Sequence, residues 1–159
     1  MFRQGSEAGP RALGHRSLLA RADLPGGRDR LNAIKRREWY RPFAPIILRE
    51  RAEEILEQVI DESAYMNTSA TIRPEWRERM SAVAHVDFTT RPQLIRRHQE
   101  PYVYEIVERV GAATGVPAIL NTSFNLQGPI VETPKDAVDC FMCMAVDHLV
   151  LDDVLVTRA

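Results

Sequence analysis

The chain has little cysteine and almost no lysine. Two of its 159 residues are cysteines, and of its 21 basic residues only Lys35 and Lys135 are lysine, so arginine carries nearly all the positive charge. Cys140 and Cys143 stand in a C-x2-C spacing, but no further ligands of similar spacing follow, which argues against a structural zinc site. A redox pair is one alternative. The apolar neighbours Phe141, Met142, Met144 and Val146 favour two buried thiols on a helix, in keeping with a reducing cytoplasm. No apolar run approaches the roughly 20 residues of a membrane span, and no leader of basic and apolar type opens the sequence, so the expectation is a cytoplasmic protein without a membrane partner. The phosphate-loop Gly-Lys-Ser/Thr and the dinucleotide G-x-G-x-x-G are missing as well, which leaves both common phosphate folds unsupported.

What is present is an uneven charge. The net value is −1. Residues 1–51 nevertheless carry 12 Lys+Arg against 5 Asp+Glu, and residues 52–159 carry 9 against 17. Genome composition accounts for an arginine bias. Arginine is also the side chain that grips phosphate or carboxylate with a planar fork, so a basic first third points to an anionic ligand. Nucleic acid is not indicated, because no basic run exceeds Lys35-Arg36-Arg37 and the whole chain is not basic.

The pattern of elements alternates. A short strand is predicted at 16–20, a helix at 28–38, a buried strand at Ile46, Ile47 and Leu48, and a helix over 49–62 with Ala52, Ile55, Leu56 and Val59 on one face. Residues 61–80 read as a loop excursion, and 81–96 as two β-rich pieces around Asp87 and Phe88. A helix over 100–115 opens on proline and stops at glycine; a second buried strand follows at 116–123. A Thr-Pro start marks a helix at 133–145, and HLVLDD with VLVTR reads as a strand pair. The alternation indicates a single α/β (or α+β) domain with a central sheet.

Four stretches carry candidate chemistry. EAGPRALGHRS places Arg11 and Arg16 among Gly9, Gly14 and Pro10; it reads equally as an anion-binding bend and as a structural turn. KRREWYRPFAP presents Arg41 on a stiff Pro-Phe-Ala-Pro segment, against the alternative that Trp39, Tyr40 and Phe43 are core aromatics and Arg41 a surface charge. HVDFTTRPQ alternates His85 and Asp87 on a predicted strand, where a buried hydrogen-bonded pair is favoured over acid–base or metal work, and sets Arg91 at an element junction. ILNTSFNLQGPIVETP ends a buried strand in Asn121, Thr122, Ser123 and Asn125, at the strand end where open α/β sheets bind ligands. Ser123 lacks the flanking glycines of a hydrolase elbow.

These four stretches, in this order and approximate spacing, resemble the carboxyl-terminal domain of the O-carbamoyltransferases, the group that includes nodulation and antibiotic-tailoring enzymes. The resemblance runs from about Gly5 to Val156. It implies a YrdC-like fold, a twisted sheet flanked by helices around a positively charged cavity. It also implies a biosynthetic transferase that uses ATP with Mg2+ and carbamoyl phosphate to form carbamoyl-adenylate, for O-carbamoylation of a small-molecule hydroxyl. By motif position, Arg41 and Arg91 are then catalytic, and Arg11, Arg41, Arg91, Ser123, Asn121 and Asn125 bind the reactants; Lys35 and Arg16 rank second. No metal ligands are indicated. The family's amino-terminal actin-like, metal-binding part, which hosts the acceptor, is expected to be absent from residues 1–159 and to belong to a longer enzyme or a partner chain; a homodimer is a further expectation. The competing expectation is a non-catalytic remnant that binds an anion or docks to a partner. Two departures stand out: Phe88 where the family usually has glycine, expected to narrow the cavity or reshape a turn, and a 125–130 loop one residue shorter than usual.

Overall fold

The sheet is organised around two central strands. In the computed structural model, which describes residues 1–3, 5–7, 11–61 and 63–158, β6 (Ala118–Ser123) lies between β1 (Ser17–Arg21) and β2 (Ala44–Leu48), and β2 continues to β5 (Gln93–Ile95), giving the order β1-β6-β2-β5. β6 runs antiparallel to both neighbours, whereas β2 and β5 are parallel. The domain is mixed α/β with a mixed central sheet. β1, β2 and β5 therefore begin at one edge of the sheet, and β6 ends there: Ser17 faces Ser123 and Ala44 faces Asn121.

Alternation along these strands separates two cores. Ile47, Leu94, Leu120 and Leu18 join the larger cluster with Phe124, Phe141 and Leu149, while Ile46, Leu48, Ile95 and Ile119 pack with Val103, Tyr104 and Val107 of α3 (Pro101–Thr114). α3 opens with proline at its first turn and ends at Gly115, whose φ of +74° suits a residue without Cβ. α1 (Gly27–Ile34) is shorter than its predicted span. α4 (Pro134–Cys143) starts with a capping box in which Thr133 and Asp136 exchange side-chain and backbone hydrogen bonds. Cys140 on this helix is half-buried, but Cys143 is exposed, because the buried face is built from Ala137, Phe141 and Met144. The hairpin β7 (His148–Leu151) and β8 (Val154–Thr157) forms as its alternation predicts, and Phe2 bridges it to Arg16.

The predicted helix over 49–62 is cut short. A 3₁₀ turn at Arg49–Arg51 leads into only one turn of helix, α2 (Ala52–Ile55). Leu56 becomes extended and bridges Ile72; Glu57 N–H donates to Thr71 and Arg73 N–H to Ile55, each at 2.9 Å. Leu56 and Ile72 are both fully buried. Burying that pair outweighs the helical periodicity that Val59 would have continued. Within 81–96, only β4 (Thr89–Thr90), paired with β3 (Ala70–Thr71), and β5 are strands. His85 and Asp87 lie in a turn, not on a strand, and form no direct hydrogen-bonded pair: His85 Nδ1 meets Thr89 Oγ1 at 2.9 Å, and Asp87 accepts from the Thr89 hydroxyl and amide.

No helix among the described residues is long and apolar enough to cross a membrane. A second, largely apolar groove of about 610 Å³ lies between β1, α1 and residues 145–150.

Candidate functional site

Three arginines precede three strands that start at the same edge. Arg11 lies shortly before β1, Arg41 before β2 and Arg91 before β5. The shared direction of those strands brings all three to the wall of one open cavity of about 620 Å³, where the end of β6 contributes Asn121, Thr122, Ser123 and Asn125. Arg11, Arg41, Arg91, Asn121, Ser123 and Asn125, the residues that the resemblance assigns to the site, thus line one surface. The wall also includes Lys35, Arg36 and Arg37, so among the described residues five arginines and a lysine share the wall with one carboxylate, Glu38. Glu38 stands 3.7 Å from Arg41, both side chains being exposed. In such a field the positive charge exceeds the negative, which favours an anion in the cavity.

α1 and its end hold the frame of this cavity. The buried Asn32 donates to the carbonyls of Trp39 and Arg41, at 3.0 and 2.9 Å, and so fixes the segment that presents Arg41. Trp39 and Tyr40 are exposed, whereas Phe43 is core, so the aromatic stretch divides. Lys35, only 2% exposed, uses all three ammonium protons inward: to Ser123 O (2.6 Å), Asn125 O (3.0 Å) and Asn125 Oδ1 (2.9 Å). Burial lowers its pKa to about 8, with neighbouring Arg37 adding to the shift and Cys140 opposing it. Ser123 Oγ donates to Asn125 Oδ1 at 2.8 Å, which leaves the serine oxygen's lone pairs open to a ligand donor, and Asn125 Nδ2 donates to Gly128 O at 2.6 Å. The Asn125 amide is therefore committed to the loop. Arg37 lies 5.0 Å over the Phe43 ring, and burial, reinforced by Arg41, lowers its pKa.

Other expectations separate from the cavity. Arg16 is buried, stacks 3.6 Å over Phe2 and donates to the carbonyls of Arg3 and His15, so it braces the bend. Glu7 ties the same bend through the amides of Leu13 and Arg16. Gly14, at φ +102°, makes room for Val103 of α3, where a Cβ would collide, and is not on the cavity wall. Gly9 and Pro10 lie outside the described residues. Phe88 is not on the cavity wall either. It has φ 62°, a left-handed conformation in which glycine costs least, and Arg77 sits 4.3 Å over its ring. Its effect is on the turn.

The sequence reading left Arg36 and Arg37 without a role and Lys35 in second rank. The signal was the Lys35-Arg36-Arg37 run itself, which follows α1 and faces the end of β6 only because of long-range packing.

The motifs and their convergence agree with the comparisons to known proteins. The family described as Carbamoyltransferase C-terminus matches residues 1–158. Nodulation protein NolNO of Sinorhizobium fredii is 43% identical over 157 residues, covering 96% of this chain and 23% of that protein. Nodulation protein U of Rhizobium tropici is 40% identical over 153 residues (96% and 26%), and the uncharacterized protein MJ1058 of Methanocaldococcus jannaschii is 36% identical over 154 residues (96% and 25%). The chain thus spans about a quarter of the length of the curated relatives it matches. It belongs to the carbamoyltransferase C-terminal family.

Proposed function

We propose that the cavity binds carbamoyl phosphate and ATP and promotes formation of carbamoyl-adenylate, as one part of an O-carbamoyltransferase. The observation that carries this reading is the meeting of Arg11, Arg41 and Arg91 with Ser123 in one cavity whose described lining has a single carboxylate. Carbamoyl phosphate and ATP are both polyanions, and their approach is opposed by charge that the arginines offset. In the balanced reaction, water releases phosphate from carbamoyl phosphate. A carbamate oxygen then bonds to the α-phosphorus of ATP as the bond to pyrophosphate breaks. Arg41, on its braced segment, and Arg91, next to β5, orient phosphoryl oxygens and stabilise the charge that develops on them.

Mg2+ would neutralise charge on the nucleotide. Among the described residues, Glu38 is the carboxylate on the cavity wall, and no group of three or more His, Cys, Asp or Glu is placed to hold a metal ion. No step is assigned to the metal. Transfer to the acceptor hydroxyl falls, in this reading, to the remaining three quarters of a full-length enzyme or to a partner chain.

The test is pyrophosphate release from ATP on incubation with Mg2+ and carbamoyl phosphate. Release is expected from the 159-residue chain and is expected to drop by at least about tenfold in Arg41→Ala, since a charge-assisted hydrogen bond is worth about 1.5–3 kcal/mol. No release above background, with phosphate binding retained, would favour a non-catalytic anion-binding module.

A further inference from the structure

Among its cations, the cavity wall contains a buried side-chain acceptor that the described residues leave unused. Asn121 is 3% exposed and lines the wall, and its Oδ1 has no hydrogen-bond partner among the described residues. A buried carbonyl oxygen without a partner is costly unless something fills the position.

The orientation of that amide is fixed from behind. Asn121 Nδ2 donates to Ala12 O at 2.7 Å and to Gln93 Oε1 at 2.6 Å. Gln93, fully buried on β5, donates through Nε2 to Ala12 O at 3.1 Å and to Ala64 O at 3.3 Å. The chain of bonds ends on backbone carbonyls, which cannot reverse their role. Turning the Gln93 amide over would set its oxygen against two carbonyls; turning Asn121 over would set its oxygen against Ala12 O and Gln93 Oε1. Asn121 and Gln93 sit on strands separated by β2, where Ala44 pairs with Asn121 and Ile46 with Gln93, so the two amides meet on a diagonal across that strand.

We infer that Gln93 is a positioning residue which holds the Asn121 nitrogen so that Oδ1 remains an acceptor for a ligand N–H, making the cavity selective for a carbamoyl over an acyl phosphate. This rests on the proposed function: carbamoyl phosphate carries an NH2 where acetyl phosphate carries a methyl of similar size. The arginines serve the phosphate that both compounds share, so they do not distinguish them. An acceptor that must be desolvated in either case does distinguish them, because the methyl leaves it unpaired.

The experiment compares the affinities of carbamoyl phosphate, acetyl phosphate and inorganic phosphate for the 159-residue chain and for Gln93→Met. The wild-type chain is expected to bind carbamoyl phosphate at least about tenfold more tightly than acetyl phosphate. Gln93→Met should reduce that ratio at least about threefold while changing inorganic phosphate affinity less than about twofold. Equal wild-type affinities for the two organic phosphates would overturn the inference and leave the anion site standing. A folded Gln93→Met with an unchanged ratio would overturn the role of Gln93. Failure of the wild-type chain to bind any of the three would instead remove the proposed function and this inference with it. A measurement without substitution covers the case in which Gln93→Met does not fold: the side-chain NH2 protons of Asn121 and Gln93 are expected to exchange slowly with solvent, and fast exchange would show that the lock does not exist.

Discussion

The arginines of this protein fall into two populations. Away from the cavity many are paired with carboxylates, and others donate to backbone carbonyls: Arg21 faces Asp23 at 2.7 Å, Arg97 faces Glu108 at 2.8 Å, Arg109 faces Glu105 at 2.6 Å, and Arg49 and Arg51 face Asp61 and Glu54, while Arg16, Arg73 and Arg77 donate to main-chain oxygens. Around the cavity, Arg36, Arg37 and Arg91 have no carboxylate in ion-pair reach among the described residues, and Arg41 has only the exposed Glu38. The basic first third of the sequence is therefore not a uniformly charged surface. Its excess is concentrated where the strands begin, and the acidic remainder of the chain neutralises arginines elsewhere. A charge total hides this, because pairing is a property of the fold.

The contrast can be broken most severely at Lys35. Lys35→Met leaves Ser123 O, Asn125 O and Asn125 Oδ1 without their donor and is expected to cost about 3 kcal/mol, read by urea denaturation. Lys135→Met, whose exposed partner is Asp139, should change stability by less than about 0.5 kcal/mol in the same assay. Equal effects would mean that the buried lysine is not the clamp its geometry describes.

Next in size, Arg91→Ala should weaken carbamoyl phosphate binding about 10- to 100-fold by calorimetry, with less than about 0.5 kcal/mol change in stability. Arg109→Ala should alter neither quantity measurably, since exposed pairs contribute about 0.2–1 kcal/mol at most. Binding lost equally in both variants would remove the distinction between the two populations.

The last contrast is in pH dependence. Lys35 titrates at about 8 in the folded chain and at its ordinary 10.5 once unfolded. Between those values the unfolded chain holds a proton that the folded chain has shed, so stability should rise with pH across that window. Anion affinity should move the other way and decline above pH about 8, as the cavity loses one positive charge. Both slopes should disappear in Lys35→Met; a slope that survives belongs to another group.

Much of the site was legible because its residue types are rare in combination. Arg11 in GPRALG, Arg41 in RPFAP, Arg91 and Ser123 in NTSFN are singled out by their motif positions in the family resemblance, and helices α3 and α4 by their proline starts. What escaped depends on contacts between distant segments. The helical pattern at 49–62 is locally sound, yet Leu56 leaves it for Ile72. His85 and Asp87 alternate like strand residues, but Thr89 closes a turn around them. Gln93 looks like an ordinary polar residue after a proline, and acquires a role only when β2 places it diagonally from Asn121.

The common starting edge of β1, β2 and β5 has a consequence for how the chain tolerates change. Arg41 and Arg91 are each tied to a strand start, and those two strands are hydrogen-bonded neighbours. Their separation is therefore set by inter-strand spacing and not by the long excursion that connects them. That excursion can lengthen, shorten or exchange its surface without moving one guanidinium relative to the other, as a span between two fixed piers can be rebuilt while the piers stay in place.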